Sequence, residues 1–163
     1  LEFRRVLFRS GSSDDDKGWG VNFTVDMMAI VHATQEALPA LKASKGSVVN
    51  ISSIAAHHPS ARQPPYGAMK AAVIHYTTTQ AAMYARDKVR VNCIAPGSID
   101  FPGGVWDRRK TENPALYNGT LQSIPFGRMG TPEEIANVAL FLASPLASWV
   151  TGQTIAVAGG QGL

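Results

Sequence analysis

Three short β-branched runs, each closed off by glycine or proline and kept apart by long helix-like segments, constrain this chain more than any other feature. They are GSVVNIS at 46–52, KVRVNCIAPG at 88–97 and TGQTIAVAGG at 151–160. Strands of this kind, without polar alternation, are buried on both faces. Strands separated by helices join through right-handed crossovers into a parallel sheet. The expected class is therefore α/β, a Rossmann-like three-layer fold built on a parallel sheet. Three strands are few for a doubly wound sheet. The first would show an unpaired apolar edge, which a finished domain avoids. The expectation is thus a fold truncated at the N-terminus, with residues 14–163 as the C-terminal part of a single domain.

The helical segments carry their own punctuation. SSDDDKGW, residues 12–19, is an acidic entry with capping residues. Residues 23–43 have helical apolar spacing, with Pro39 placed where a kink or new turn is expected. Residues 65–86 form an alanine-rich helix opened by two prolines. TPEEIANVALFLAS begins with a full start signal: Thr131 as N-cap, Pro132 in the first turn and Glu134 closing a capping box. Residues 98–130 read as a long irregular loop with one short helix near 113–122. Loops of this length in compact domains tend to be functional.

Composition removes several function classes. Net charge is +3, but Arg4, Arg5 and Arg9 against Glu2 account for +2 of it, and the remainder holds 12 basic and 11 acidic residues. That leaves no basic stripe for nucleic acid. No apolar run is long enough to span a bilayer. The single cysteine, Cys93, excludes an internal disulfide and fits a reducing, cytoplasmic compartment. It lies in a buried strand, as packing rather than as a nucleophile. His57 and His58 are adjacent, and no third ligand has suitable spacing, so no metal site is expected. Residues 1–13 read as a leader outside the fold. Either LEFRRVLFRS is not native, since VLFRS resembles a translated sequencing adapter, or it is a disordered basic terminus.

The chemistry concentrates at the helix opened by Pro64 and Pro65. Tyr66 and Lys70 are four residues apart, on one helical face. A free phenol titrates near pH 10, too high to exchange protons readily at neutral pH. A neighbouring cation favours the phenolate. The pair is thus a candidate general acid/base. Ser53 ends the first strand 13 positions earlier (66 − 53), where a hydroxyl could meet a substrate oxygen. Taken without their neighbours, Tyr66 and Lys70 could be a chance surface pair, and Ser53 a strand terminus.

The stretches GSVVNISS, YGAMK, VRVNCIAPG, GRMGTPEEIANVALFLAS and SWVTGQTIAVAGG, in this order across residues 14–163, resemble the short-chain dehydrogenase/reductase family. The resemblance implies a Rossmann-type fold, an NAD or NADP cofactor, and hydride transfer between that cofactor and a secondary alcohol/ketone pair. It implies that Ser53 orients the carbonyl oxygen, that Tyr66 trades the proton, and that Lys70 binds the cofactor ribose and supports the phenolate. It implies that Pro96, Gly97 and Ile99 border the nicotinamide. Homodimers or homotetramers would form through residues 23–43 and 65–86.

Departures from the family pattern accompany the matches. The Gly-rich phosphate-binding turn and the Asn-Asn-Ala-Gly segment are absent. Asp26 stands where a fourth catalytic residue, asparagine, is common. Phe101 replaces a threonine, and Ala158 replaces an aspartate. Segment 98–130 would be the substrate lid, with Phe101, Trp106, Tyr117 and Phe126 as pocket wall or simple packing. Arg108, Arg109 and Lys110 read as a solvated face, or as a greeting for an anionic substrate tail. Two alternatives stand beside the enzyme reading: a non-catalytic cofactor-binding or scaffold relative, and a piece that is inactive without a phosphate-binding half.

Overall fold

The computed structural model describes residues 13–163. The leader expected at 1–13 lies outside the described residues except for Ser13, whose hydroxyl donates to Asp15 Oδ1 at 2.9 Å. Asp15 is the N-cap, its carboxylate accepting from the Gly18 N–H at 2.7 Å. Capping chemistry therefore starts the helix at Asp16, upstream of the apolar spacing that places it at 23. It continues as α1 (Asp16–Asn22), a π-helical turn (Phe23–Met28) and α2 (Ala29–Ser44).

Pro39 does not end α2, which runs through it to Ser44. A proline inside a helix forfeits one backbone hydrogen bond. Here Leu38 and Leu41, on either side of it, are packed against the core and hold the segment helical.

The remaining elements are β1 (Ser47–Ile51), α3 (Pro64–Tyr84), β2 (Arg90–Pro96), α4 (Val105–Glu112), α5 (Pro114–Gln122), α6 (Pro132–Ala143) and β3 (Thr154–Val157). Short 3₁₀ turns occupy Ile54–Ala56, Ala85–Asp87 and Pro145–Ala147. The expected helix 65–86 is thus α3 with its last turn tightened. The segment 98–130 holds two helices, not one. α4 has a polar sequence and is started by Asp107, whose carboxylate accepts from the Gly103 N–H at 2.8 Å.

The strands form one parallel sheet in the order β1-β2-β3, with Ser47 opposite Arg90 and Cys93 opposite Thr154. Strand β2 is central and its interior residues Val91, Asn92, Cys93, Ile94 and Ala95 are all buried. Among the described residues, β1 and β3 each pair on one side only.

Alternation along the strands sets the layers, because successive side chains point to opposite faces. Val48 and Val91 face a cluster with Leu38 and Leu41 of α2 and Ala81 and Tyr84 of α3. Their neighbours Ser47 and Arg90 face the other way and reach α6. The Arg90 guanidinium donates to the carbonyls of Leu142 (2.6 Å), Ala143 (3.3 Å) and Ser144 (3.1 Å), and Ser47 Oγ donates to Leu142 (3.1 Å). A cation on the last carbonyls satisfies orphan acceptors and opposes the negative helix end. Three layers result: α2 and α3, the sheet, and α6.

The α6 start follows its sequence signal. The Thr131 N–H donates to Glu134 Oε2 at 2.9 Å, and Arg128 forks onto both oxygens of Glu134 at 2.9 and 2.6 Å. No described helix is long and apolar enough to cross a membrane. No described group of His, Cys, Asp or Glu has metal-site geometry.

Candidate active site at the strand ends

The site grows from the carboxyl ends of β1 and β2, the side where ligands sit in parallel α/β sheets. β1 is tied to α3 at this end. Ser52 Oγ donates to the Lys70 carbonyl at 2.7 Å, and Lys70 Nζ donates back to the Ile51 carbonyl at 3.2 Å. Deeper in the same interface Asn50 Nδ2 donates to Thr77 Oγ1 (2.9 Å) and Gln80 Oε1 (3.0 Å). Buried polar groups with partners of this kind fix one register between strand and helix.

Ser53 leaves β1 in an extended conformation and caps the 3₁₀ turn, its Oγ accepting from the Ala55 N–H at 3.2 Å. Its own O–H remains available to donate. The segment that follows folds back onto the start of α3, and Gly67 permits it. A Cβ there would lie 2.5 Å from the Ser60 Cβ and 3.2 Å from the Ala55 carbonyl. This close approach puts Ser53 and Tyr66 on the wall of one cleft of about 720 Å³, together with Gly97, Ser98 and Gln161.

Lys70 lies one turn behind Tyr66, its Nζ 5.5 Å from the centre of the phenol ring. The same ammonium pairs with Asp26 Oδ1 at 3.0 Å, both side chains being nearly buried. Asp26 reaches it from the π-helical turn, which packs against α3. Such turns recur at functional sites. The second oxygen, Asp26 Oδ2, is buried without a hydrogen-bond partner among the described residues.

The residues expected to border a cofactor divide. Gly97 lines the cleft with Ser53 and Tyr66, whereas Ile99 lines a neighbouring cleft of about 450 Å³ and Pro96 ends β2 opposite Val157. Ser98 and Gln161 belong to both clefts, and Gln161 Oε1 accepts from the Ser98 N–H at 2.9 Å. Gly97 is required where it stands: a Cβ would approach Ala158 to 2.9 Å. Cys93 is buried in β2 below the site, and that burial pushes its thiol above the usual range.

The segment 98–130, expected as a largely irregular substrate lid, holds two helices that border the cleft. Trp106, Val105 and Arg109 of α4 and Leu116 and Thr120 of α5 line the cleft. Tyr117 faces Lys110 (5.6 Å from ring centre to Nζ), and Phe126 lines the neighbouring cleft. Of the run Arg108–Lys110, only Arg109 turns inward. Lys110 pairs with Asp100 at 2.7 Å, and this bond holds its ammonium above the usual range. Arg62, from the turn before α3, also lines the cleft. Neither Arg62 nor Gln161 was marked by a sequence pattern. Arg109 belongs to the charge run read from the sequence as a solvated face or a contact for an anionic tail, and the helix selects it from that run, since 105, 106 and 109 share one helical face.

A family model described as enoyl-(acyl carrier protein) reductase matches residues 8–161. The chain is 47% identical over 120 residues to the 3-oxoacyl-[acyl-carrier-protein] reductase FabG of Chlamydia pneumoniae, which covers 74% of this chain and 46% of the relative. It thus spans about half the length of this curated relative. Among solved structures, a 3-oxoacyl-[acyl-carrier protein] reductase from Brucella melitensis superposes with a TM-score of 0.83 at 32% identity, over 91% of this chain and 55% of the other. An NADPH-bound short chain oxidoreductase from Pseudomonas aeruginosa, described as containing an atypical catalytic center, gives 0.81 at 32%, over 90% and 58%. The family match spans residues 8–161 and the superpositions cover about nine-tenths of the chain, and on them the chain belongs to the short-chain dehydrogenase/reductase family.

Proposed function

We propose that these residues form the substrate-side part of a nicotinamide-dependent oxidoreductase that interconverts a secondary alcohol and a ketone. The observation that carries the reading is the shared cleft of Ser53 and Tyr66, with the Lys70 ammonium held behind the phenol. In the direction of reduction, the Ser53 hydroxyl donates a hydrogen bond to the carbonyl oxygen and fixes its position. Tyr66 gives its phenolic proton to the same oxygen. The Lys70 ammonium, close to the ring, stabilises the phenolate left behind until solvent returns a proton. In alcohol oxidation the proton moves the other way.

The donor set suits a nicotinamide nucleotide. Tyr66 and the remaining N–H of Lys70 would hold ribose hydroxyls, and Pro96, Gly97 and Ile99 would border the nicotinamide ring. The Pseudomonas neighbour, which holds NADPH, supports this class of cofactor. When bound, such a group supplies or accepts the hydride. Asp26 acts by holding Lys70, in place of the asparagine common in the family. Pairing of copies through residues 23–43 and 65–86 belongs to the same proposal, and Phe23 and Met83 are exposed on those segments.

The test is oxidation of reduced nicotinamide by a panel of ketones, in the enzyme of which these residues are part. Tyr66→Phe should lower turnover by at least about 10²-fold, the range of a lost general acid, with an unchanged unfolding transition. Near-normal turnover in that variant would end the mechanism. Cofactor binding without turnover of any ketone or alcohol would instead favour the non-catalytic reading.

A further inference from the structure

Charge in the Ser53–Tyr66 cleft is one-sided. Two guanidinium groups, Arg62 and Arg109, line it, and among the described residues no aspartate or glutamate does. Four cations elsewhere are paired with carboxylates: Lys42 with Asp87, Lys70 with Asp26, Lys110 with Asp100 and Arg128 with Glu134. Arg108, next to Arg109, donates to the Gly103 carbonyl at 3.3 Å. Arg62 and Arg109 have no carboxylate within 4 Å among the described residues. They come from separate elements, the turn before α3 and the lid helix α4, and meet on one cleft. Arg109 is half-buried, so its field is less screened than that of a surface cation.

We infer that the substrate of this cleft is a small carbonyl or hydroxy compound bearing an anionic group, carboxylate or phosphate, which Arg62 and Arg109 bind while Ser53 and Tyr66 hold the reacting oxygen. The inference rests on the proposed oxidoreductase reading for the role of Ser53 and Tyr66, and on the arginine pair for the anion. Apolar lining from Ile54, Val105, Trp106 and Leu116 suits the carbon skeleton between the two ends. Guanidinium groups match both carboxylate and phosphate through paired N–H donors. Clefts lined by one sign of charge also raise the local concentration of the oppositely charged ligand.

The experiment measures binding and turnover separately, with matched probes. Acetoacetate is compared with its methyl ester, and dihydroxyacetone phosphate with dihydroxyacetone. Binding to the protein is followed by calorimetry, turnover by reduced-nicotinamide absorbance. The expected result is at least a tenfold tighter Kd for one anionic probe over its neutral partner. Arg109→Gln and Arg62→Gln should each remove roughly five- to tenfold of that preference, the size of one charge-assisted hydrogen bond at a partly exposed site. Neutral probes should change by less than about twofold, which separates loss of charge recognition from a damaged fold.

The carboxylate and phosphate arms identify the anion. Equal Kd values for anionic and neutral probes, including no detectable binding of either, would overturn the inference. An equal loss for both probes in the variants would also overturn it. Anion preference that disappears with the arginines while no ketone is turned over would leave the subsite standing and remove the oxidoreductase reading. Turnover of neutral ketones without any anion preference would do the reverse.

Discussion

The Asp26–Lys70 pair should behave in a double-mutant cycle as a coupled, nearly buried unit. Their side chains are 11% and 12% exposed, with Oδ1 and Nζ 3.0 Å apart. At an effective dielectric near 20, two unit charges at that distance attract by about 5 kcal/mol, and desolvation of both groups offsets much of this. Asp26→Ala leaves the ammonium with one acceptor, the Ile51 carbonyl. The expected cost is about 3 kcal/mol, the lower end for an uncompensated buried charge. Lys70→Met keeps the stem and removes the charge, leaving a carboxylate whose Oδ2 already has no described partner. It should cost about as much. Removing both relieves both desolvation penalties, so the double variant should cost about 3 kcal/mol rather than 6, a coupling of about 3 kcal/mol. Asp26→Asn keeps an acceptor for the ammonium and should cost about 1 kcal/mol. Urea denaturation of the four proteins at neutral pH measures the cycle. A coupling below about 0.5 kcal/mol would mean that the pair is as weak as a solvated surface bridge, and the argument that Asp26 positions Lys70 would fail.

Two further outcomes follow from the electrostatics. The Arg128 guanidinium, then the Thr131 N–H, push the Glu134 carboxyl down to about 2, so its carboxyl-carbon NMR signal should titrate near that pH and return toward the ordinary range in Arg128→Ala. A depressed carboxylate favours the folded state above its ordinary value near 4.5, and that contribution should fade as pH drops through about 2. Burial pushes the Cys93 thiol up, so a thiol reagent should label it at least about a hundredfold slower in the native protein than in denaturant; equal rates would place it at an accessible surface.

The sequence carried the parts whose signals are local. Ser47–Ile51, Arg90–Pro96 and Thr154–Val157 lie inside the three β-branched runs. Thr131, Pro132 and Glu134 marked the start of α6 because each step of a capping box lies within one turn. α4 was hidden because VWDRRKTE shows no apolar stripe, and its order depends on Asp107 and on Val105 and Trp106 facing the cleft. At the site, Tyr66 and Lys70 were visible as neighbours on one helix, and Ser53 as the residue closing a strand. The direct contact of Asp26 with Lys70 was not, because it spans two helices and a change of helical pitch. Arg62 sits in a turn with no period at all, and only the fold brings it to the cleft that Arg109 lines.

The wide turn at Phe23–Met28 has a consequence for how the segment can vary among relatives. Each residue of an α-helix advances the side chains by about 100°, so deleting one position from this turn would restore regular pitch and swing everything on one side of it by about that angle. Asp26 and the capped entry at Asp15 could not then both keep their present bearings. Insertions and deletions should therefore be scarce between Asp16 and Asp26.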